Sequence, residues 1–400
     1  MKRALKMFLS CLILVLACSI CSLSGAADQN EKGKDMDREM LEAYKQASKL
    51  KDEKKMKEAV ELLGRYDKAE NASVKTRLQL ANFKAWLYLT QLAEPENAYN
   101  EFLRTLDIVL PQGYFKSEDV AYGPHPRQKL DIFWPSKASA PTPLLVLIHG
   151  GGWLHGAQKY YPASSADLVR DILLNGGAVA SITYRYSTDA KLPAPVHDAA
   201  RAIQFMRANA GKYNLDKIHV VALGDSAGGA TALWLATHDD LADPKAADPV
   251  LRESSRLSGA VANSAQTTLD PAQMKEWDNE DALAHTMFCR ALGCGCNKEM
   301  FEKITELQPL IDEFSPVKHL DAGDPPIYLR YSGPISRRDG VHDSRFGLGF
   351  KKKADAVGAT CILHISGEEA YPAPKGDLIL HFQDMFSAIL DRPSLSSLYF

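Results

Sequence analysis

The sequence predicts an α/β protein: a mostly parallel sheet with helices on both faces, preceded by a small helical region. Three observations predict it. From Pro111 onward, short apolar runs of strand length alternate with segments of helical period, the pattern of strand–helix–strand units. The run at 144–148 is apolar along its length and that at 218–223 is broken only by His219, as in strands covered on both faces. Residues from about 35 to 110 carry helical spacings instead.

In that leading segment Met56, Ala59, Val60 and Leu63 fall at i, i+3, i+4 and i+7, and Tyr99, Phe102, Leu103 and Leu106 repeat the spacing. Leu80, Phe83 and Leu87 mark a helix between them, with breaks near Gly64–Asp67 and Glu94–Glu96. No repeat consensus is present, which favours a small accessory domain over a partner-binding array. Strands then follow at 119–123 and 128–135, joined by a turn at Pro124-His125-Pro126, and at 143–149. A helix at 161–174, a strand at 178–184 and a helix through Ala199, Ala202, Ile203 and Met206 come next. The strand at 218–223 leads to a helix starting at Ser226. Strands at 257–262, 327–331 and 360–365 and a helix at 376–390 close the domain. The polar, helix-leaning insertion at 264–316 reads either as a lid over the strand ends or as a surface excursion.

Two glycine-rich motifs follow apolar strands. Gly224-Asp225-Ser226-Ala227-Gly228 fits the G-x-S-x-G elbow, and His149-Gly150-Gly151-Gly152-Trp153 fits the HGGG oxyanion loop. An elbow must turn sharply with serine at its apex, so its flanking residues must be small. The serine then stands at a helix N-terminus, where the dipole favours developing negative charge. In the loop, glycines let backbone N–H groups face a reacting carbonyl unobstructed. Losing one such donor costs roughly 3–4 kcal/mol of barrier. The pairing points to acyl-ester hydrolysis by a serine.

Composition is that of an ordinary globular chain: 46% hydrophobic, 24% charged, net charge −3. No basic cluster argues for nucleic acid. Lys2, Arg3 and Lys6, the apolar stretch from Met7 to about Leu23 and Ser24-Gly25-Ala26 predict a signal peptide at 1–26. The mature chain is expected to be exported (periplasmic or extracellular) with no stable membrane span; lipidation at Cys18 is an alternative. The domains are then 27–110, helical, and 111–400, carrying the sheet. Cys289, Cys294, Cys296 and Cys361 remain after cleavage. Their spacing fits no standard zinc pattern, leaving a loop staple or free buried thiols.

Residues 117–390 resemble α/β-hydrolases of the carboxylesterase/lipase group, in its feruloyl-esterase-like and hormone-sensitive-lipase-like branch. Besides the two motifs, the resemblance rests on Tyr184-Arg185-Tyr186, Pro193–Asp198, Phe314-Ser315-Pro316-Val317 and Asp324-Pro325-Pro326. It implies the α/β-hydrolase fold, Ser226 as nucleophile, and oxyanion donors at Gly151, Gly152 and Ala227. It implies an acid in the loop after strand 327–331, where Asp339 is the first choice and Asp343 the second. It also places a histidine just after the last strand, but residues 366–372 contain none. His364, His381, His342, His125 and His155 are the candidates left. His342 would be out of the usual order. A serine needs a base beside it, so the assignment decides between two expectations. One is an exported serine carboxylesterase acting through an acyl-enzyme, without metal or organic cofactor, on small-molecule or polysaccharide-linked esters such as acetyl or feruloyl groups. The other is a weak or inactive homologue that binds a ligand or partner.

Overall fold

The computed structural model describes residues 31–110 and 113–373. The expected signal segment with Cys18, the expected closing helix at 376–390 and His381 lie outside the described residues. The chain divides into two compact units. One holds the described residues up to Gly113 together with Lys159–Leu174, and the other holds Tyr114–Gln158 and the described residues from Asn175 on.

The first unit is helical: α1 (Glu31–Asp52), α2 (Met56–Gly64), α3 (Val74–Leu87), α4 (Pro95–Val109), α5 (Tyr160–Ser164) and α6 (Ala166–Leu174). Ala59, Val60, Leu63, Leu80 and Leu87, all on spacings read in the sequence, form a core with Met40 and Ala47, which lie outside those spacings. The single helix expected at 161–174 is two, because Ser165 leaves the helical region (φ −128°, ψ 36°). Lys84 is buried, but its ammonium lies 2.8 Å from Asp67 and 2.5 Å from Glu101, so the charge is compensated.

The second unit contains β1 (Tyr114–Ala121), β2 (Lys129–Pro135), β3 (Thr142–Ile148), β4 (Ala178–Ile182), β5 (Leu215–Asp225), β6 (Gly259–Asn263), β7 (Ile327–Tyr331) and β8 (Cys361–Ile365). Among the described residues these form one sheet in the order β1-β2-β4-β3-β5-β6-β7-β8. β1–β2 and β2–β4 pair antiparallel, and the remaining pairs are parallel. Every residue of β3 and β4 is buried, as their continuous apolar runs require. β5 departs from its expected buried character: Ile218 is 73% exposed. The register against β3 jumps from Leu215 to Val220, so residues 216–219 bulge out of the ladder. The Asp216 carboxylate holds the bulge by accepting from the Ile218 N–H at 2.7 Å.

Helices α7 (Ala194–Ala208) and α8 (Ala210–Tyr213) precede β5, and α9 (Ala227–Thr237) follows it. All eleven residues of α9 are buried; a helix with no polar face belongs in the middle of the packing. The insertion folds as α10 (Pro271–Glu276), α11 (Met287–Ala291), α12 (Asn297–Glu302) and α13 (Ile304–Glu313), followed by α14 (Pro316–His319). Its Met274, Met287 and Phe288 are buried in the same core as the sheet. α15 (Arg345–Val357) joins β7 to β8.

Cys289, Cys294, Cys296 and Cys361 are all free, and only Cys296 is exposed. Burial pushes the Cys361 thiol up to about 12. Among the described residues no helix is long and apolar enough to cross a membrane.

Candidate active site

The parallel strands end at one level. Ile148 of β3 and Ala262 of β6 both sit opposite Gly224, Asn263 sits opposite Asp225, and Arg330 of β7 sits opposite Asn263. In open parallel sheets this carboxyl edge is where ligands bind.

Ser226 sits between β5 and α9 with φ 54° and ψ −122°, a strained region for a residue with a Cβ. Its N–H donates to the Asn263 carbonyl at 2.8 Å, and its carbonyl accepts from Ala230 N–H at 2.9 Å. The Asn263 amide donates to the Asp225 carboxylate at 2.7 Å, closing the turn. A Cβ on Gly228 would strike the Ile148 carbonyl, and one on Gly224 would strike the Gly228 carbonyl. The elbow therefore closes only with glycine at both places.

The loop after β3 lies against this turn: a Cβ on Gly150 would fall 2.7 Å from the Asp225 carbonyl oxygen and 3.3 Å from Ser226 Cβ. Gly151 (φ 100°) and Gly152 (φ 64°) take left-handed backbone, which glycine adopts without Cβ strain. The Trp153 indole N–H donates to Thr231 Oγ1 at 3.0 Å, and that hydroxyl donates to the Ala227 carbonyl at 2.8 Å. The glycine loop and the first turn of α9 are thus tied together. The loop is also held from below. The Tyr184 hydroxyl donates to the carbonyls of His149 (2.7 Å) and Gly150 (3.2 Å). The His149 ring stacks on Tyr184 with centroids 4.3 Å apart. Burial pulls His149 down to about 4, so it is a neutral packing residue. Tyr184 in turn precedes Arg185, whose guanidinium and backbone N–H bond the buried Asp198 carboxylate at 2.6–3.0 Å.

The base candidate comes from the other side. His342 ends a short 3₁₀ turn, Gly340–His342, after β7. Its Nε2 lies 2.9 Å from Ser226 Oγ. Among the described residues this is the one histidine hydrogen-bonded to that hydroxyl. Burial lowers its pKa below the ordinary 6.5; the Asp339 carboxylate opposes the shift and His285 adds to it. At neutral pH the ring is uncharged and can accept a proton. Asp339 acts on the ring only through its field: no hydrogen bond joins its carboxylate to His342 among the described residues, and Arg337 lies 3.8 Å from it. Asp343 is fully buried and committed elsewhere. It accepts from Asp339 N–H (3.1 Å) and from the Arg345 guanidinium (3.0 Å), and so fixes the turn that presents His342.

The other histidines are engaged differently. His364 Nδ1 lies 3.1 Å from the Tyr371 carbonyl, and His125 Nδ1 accepts from Arg127 N–H at 3.2 Å. A residue the sequence did not single out is His285, in the insertion. Its Cε1 lies 3.8 Å from where a Gly152 Cβ would stand, and its Nδ1 accepts from Met287 N–H at 3.1 Å. Only its place inside a polar insertion hinted at it.

Strand order, elbow and glycine loop together make this chain an α/β-hydrolase. Residues 130–332 match the BD-FAE family, and the chain belongs to that family. A probable isoprenylcysteine alpha-carbonyl methylesterase, ICMEL1, of Arabidopsis thaliana is 24% identical over 241 residues, covering 58% of this chain and 48% of that protein. Carboxylesterase NlhH of Mycobacterium tuberculosis is 29% identical over 135 residues, covering 34% and 41%. The chain thus spans less than half the length of either relative. A truncated carbohydrate esterase from gut microbiota shares the fold, with a TM-score of 0.50 and 20% identity over 69% of this chain and 94% of that one.

Proposed function

We propose that the protein is a serine carboxylesterase whose general base is His342. The contact of 2.9 Å between His342 Nε2 and Ser226 Oγ carries this reading. With the proton on Nδ1, Nε2 takes the Ser226 proton as Oγ attacks the ester carbonyl. The backbone N–H groups of Gly151, Gly152 and Ala227 donate to the oxyanion. His342 then passes its proton to the leaving alcohol, and water, activated by the same ring, releases the acid and restores Ser226. Asp339 stabilises the transient imidazolium through space. The chemistry uses only side chains and backbone amides.

The names of the relatives support ester substrates. Acetyl or feruloyl esters carried on polysaccharides are the proposed natural class, with export through cleavage after Ala26. The primary test is hydrolysis of p-nitrophenyl acetate by the mature chain and by Ser226→Ala. Turnover lost in the variant supports the reading; equal turnover, or none in either, overturns it. The bond missing between Asp339 and His342 favours a second reading, a slow or inactive homologue that binds ligands. That reading is supported if ester binds without turnover.

A further inference from the structure

At the far end of α9, away from Ser226, three side chains converge that no catalytic step uses. His238 caps the C-terminus of α9, Glu313 ends α13 and His319 ends α14. One potential ligand atom from each lies within 4.8 Å of the other two. The closest pair is His238 Nε2 and Glu313 Oε1, at 2.9 Å. We propose that His238, Glu313 and His319 form a structural zinc site that clamps the end of the serine-bearing helix to the α13–α14 turn.

The donor set is the first argument. Two imidazoles and one carboxylate are ligands that zinc takes, with water filling a fourth tetrahedral position. His238 and Glu313 are partly exposed, so water can reach that position. The second argument is the outer hydrogen bonding. A metal-bound histidine almost always donates its other ring N–H to a carbonyl or carboxylate. His238 Nδ1 lies 2.9 Å from the Asp239 carbonyl, so the proton belongs on Nδ1 and the lone pair on Nε2, facing Glu313. His319 Nε2 lies 2.6 Å from the Glu313 carbonyl, which leaves its lone pair on Nδ1. The His238 ring is further fixed by stacking on Trp234, with centroids 4.1 Å apart.

The third argument is electrostatic. Two helices of ten or more residues, α9 and α13, end at this point, and their carbonyl ends favour positive charge, of which the Arg256 guanidinium, donating to the His238 carbonyl at 2.6 Å, supplies part at α9. The nearby Lys318 is already balanced by Asp312 (3.2 Å) and Asp270 (3.5 Å). The cluster gathers residues spread over two distant stretches of chain, which is why no sequence motif announces it. At about 1.5 Å rise per residue, α9 separates the cluster from Ser226 by roughly 16 Å. The zinc therefore bears on stability and not on the reacting atoms.

The test uses the tag-free mature chain carrying Cys296→Ser, since an exposed thiol also takes zinc. After chelator treatment, zinc ion alone is titrated by calorimetry and by thermal melting. One zinc per chain should bind, and the melting temperature should rise with zinc and fall again with EDTA. Cobalt ion should give the visible absorption of a tetrahedral site. Glu313→Gln and His319→Ala, both checked by circular dichroism, should lose the cobalt bands and the zinc-dependent melting shift. His197→Asn, a neighbour outside the cluster, should keep both. Turnover of p-nitrophenyl acetate at low temperature should not change when zinc is removed. The proposal is overturned if the parent chain binds no stoichiometric zinc, or if binding survives in both variants. It is also overturned if zinc removal abolishes turnover without moving the melting temperature. The cobalt spectrum of the parent decides the matter even if a variant fails to fold.

Discussion

Replacing His342 with alanine removes the ring nitrogen that sits 2.9 Å from Ser226 Oγ, and nothing else among the described residues bonds that hydroxyl to a base. The elbow backbone and the glycine loop do not depend on the ring: they are held by Asn263, Ala230, Tyr184 and Thr231. The loss should therefore fall on proton transfer. A positioned acid–base group contributes about 10²–10⁴ in rate, which at roughly 1.4 kcal/mol per tenfold is about 3–5 kcal/mol of barrier. The oxyanion donors remain and can sustain a residual acceleration of about 10³–10⁴ over water. The assay is kcat and KM on p-nitrophenyl acetate for the parent chain, His342→Ala, Ser226→Ala and the double variant, with circular dichroism to check folding. The drop should appear in kcat with KM nearly unchanged. The double variant should be no worse than the poorer single one, because the two residues act as a unit. Retention of kcat/KM within about tenfold in His342→Ala would refute the assignment, since a base contributes more than that. His364→Ala serves as the control and should be active.

The pH profile gives an independent check: kcat/KM should rise along an acid limb below the ordinary histidine value of 6.5, because burial disfavours the charged ring. Asp339→Asn removes the charge that favours imidazolium and should move the limb to lower pH, while His285→Ala should move it up; movement in the opposite senses sinks the electrostatic account. Gly228→Ala would drive a Cβ into the Ile148 and His149 carbonyls, backbone on every side, and should cost about 1–3 kcal/mol or more of stability. Gly211, by contrast, has open space and an ordinary φ, so Gly211→Ala should stabilise by about 0.4–1 kcal/mol in a denaturant melt. Tyr184→Phe leaves the His149 carbonyl without its hydroxyl donor and should cost about 1–3 kcal/mol. Its kcat should fall more than its KM changes as the oxyanion loop loosens, which steady-state kinetics would reveal.

The fold was legible wherever the chemistry is local. β3 and β4 are almost wholly apolar runs, β7 is apolar but for Arg330, and the two glycine motifs state their own backbone needs, so strands and elbow could be placed to within a few residues. β5 was misjudged at its start because the bulge at 216–219 depends on an Asp216 hydrogen bond and on register with β3, neither of which a window of sequence contains. The site was only half readable for the same reason. Ser226 and the loop glycines carry a signature in consecutive residues. His342 carries none: a histidine in a loop after β7 looks like any surface histidine until buried Asp343 and its partner Arg345 turn it inward. His285 and the support of the glycine loop by Tyr184 are equally products of tertiary contact.

The sheet works as a ruler for the proposed serine–histidine pair. Neighbouring strands are about 4.8 Å apart, so a loop delivering a base from β8 must span three strand spacings, about 14 Å, to reach the serine that follows β5. Delivered from β7 it spans two, about 10 Å. Each further strand also adds a rotation of roughly 20–25°, and any error in that rotation is passed on to whatever loop lies beyond. A base on β7 shortens the lever and removes one source of angular error. Residues 332–342 carry the chain from the end of β7 to the turn that presents His342, and Glu368 in the loop after β8 accepts from the Ile335 N–H of that segment at 2.7 Å, so the loop after β8 braces the segment that brings the histidine instead of carrying the histidine itself.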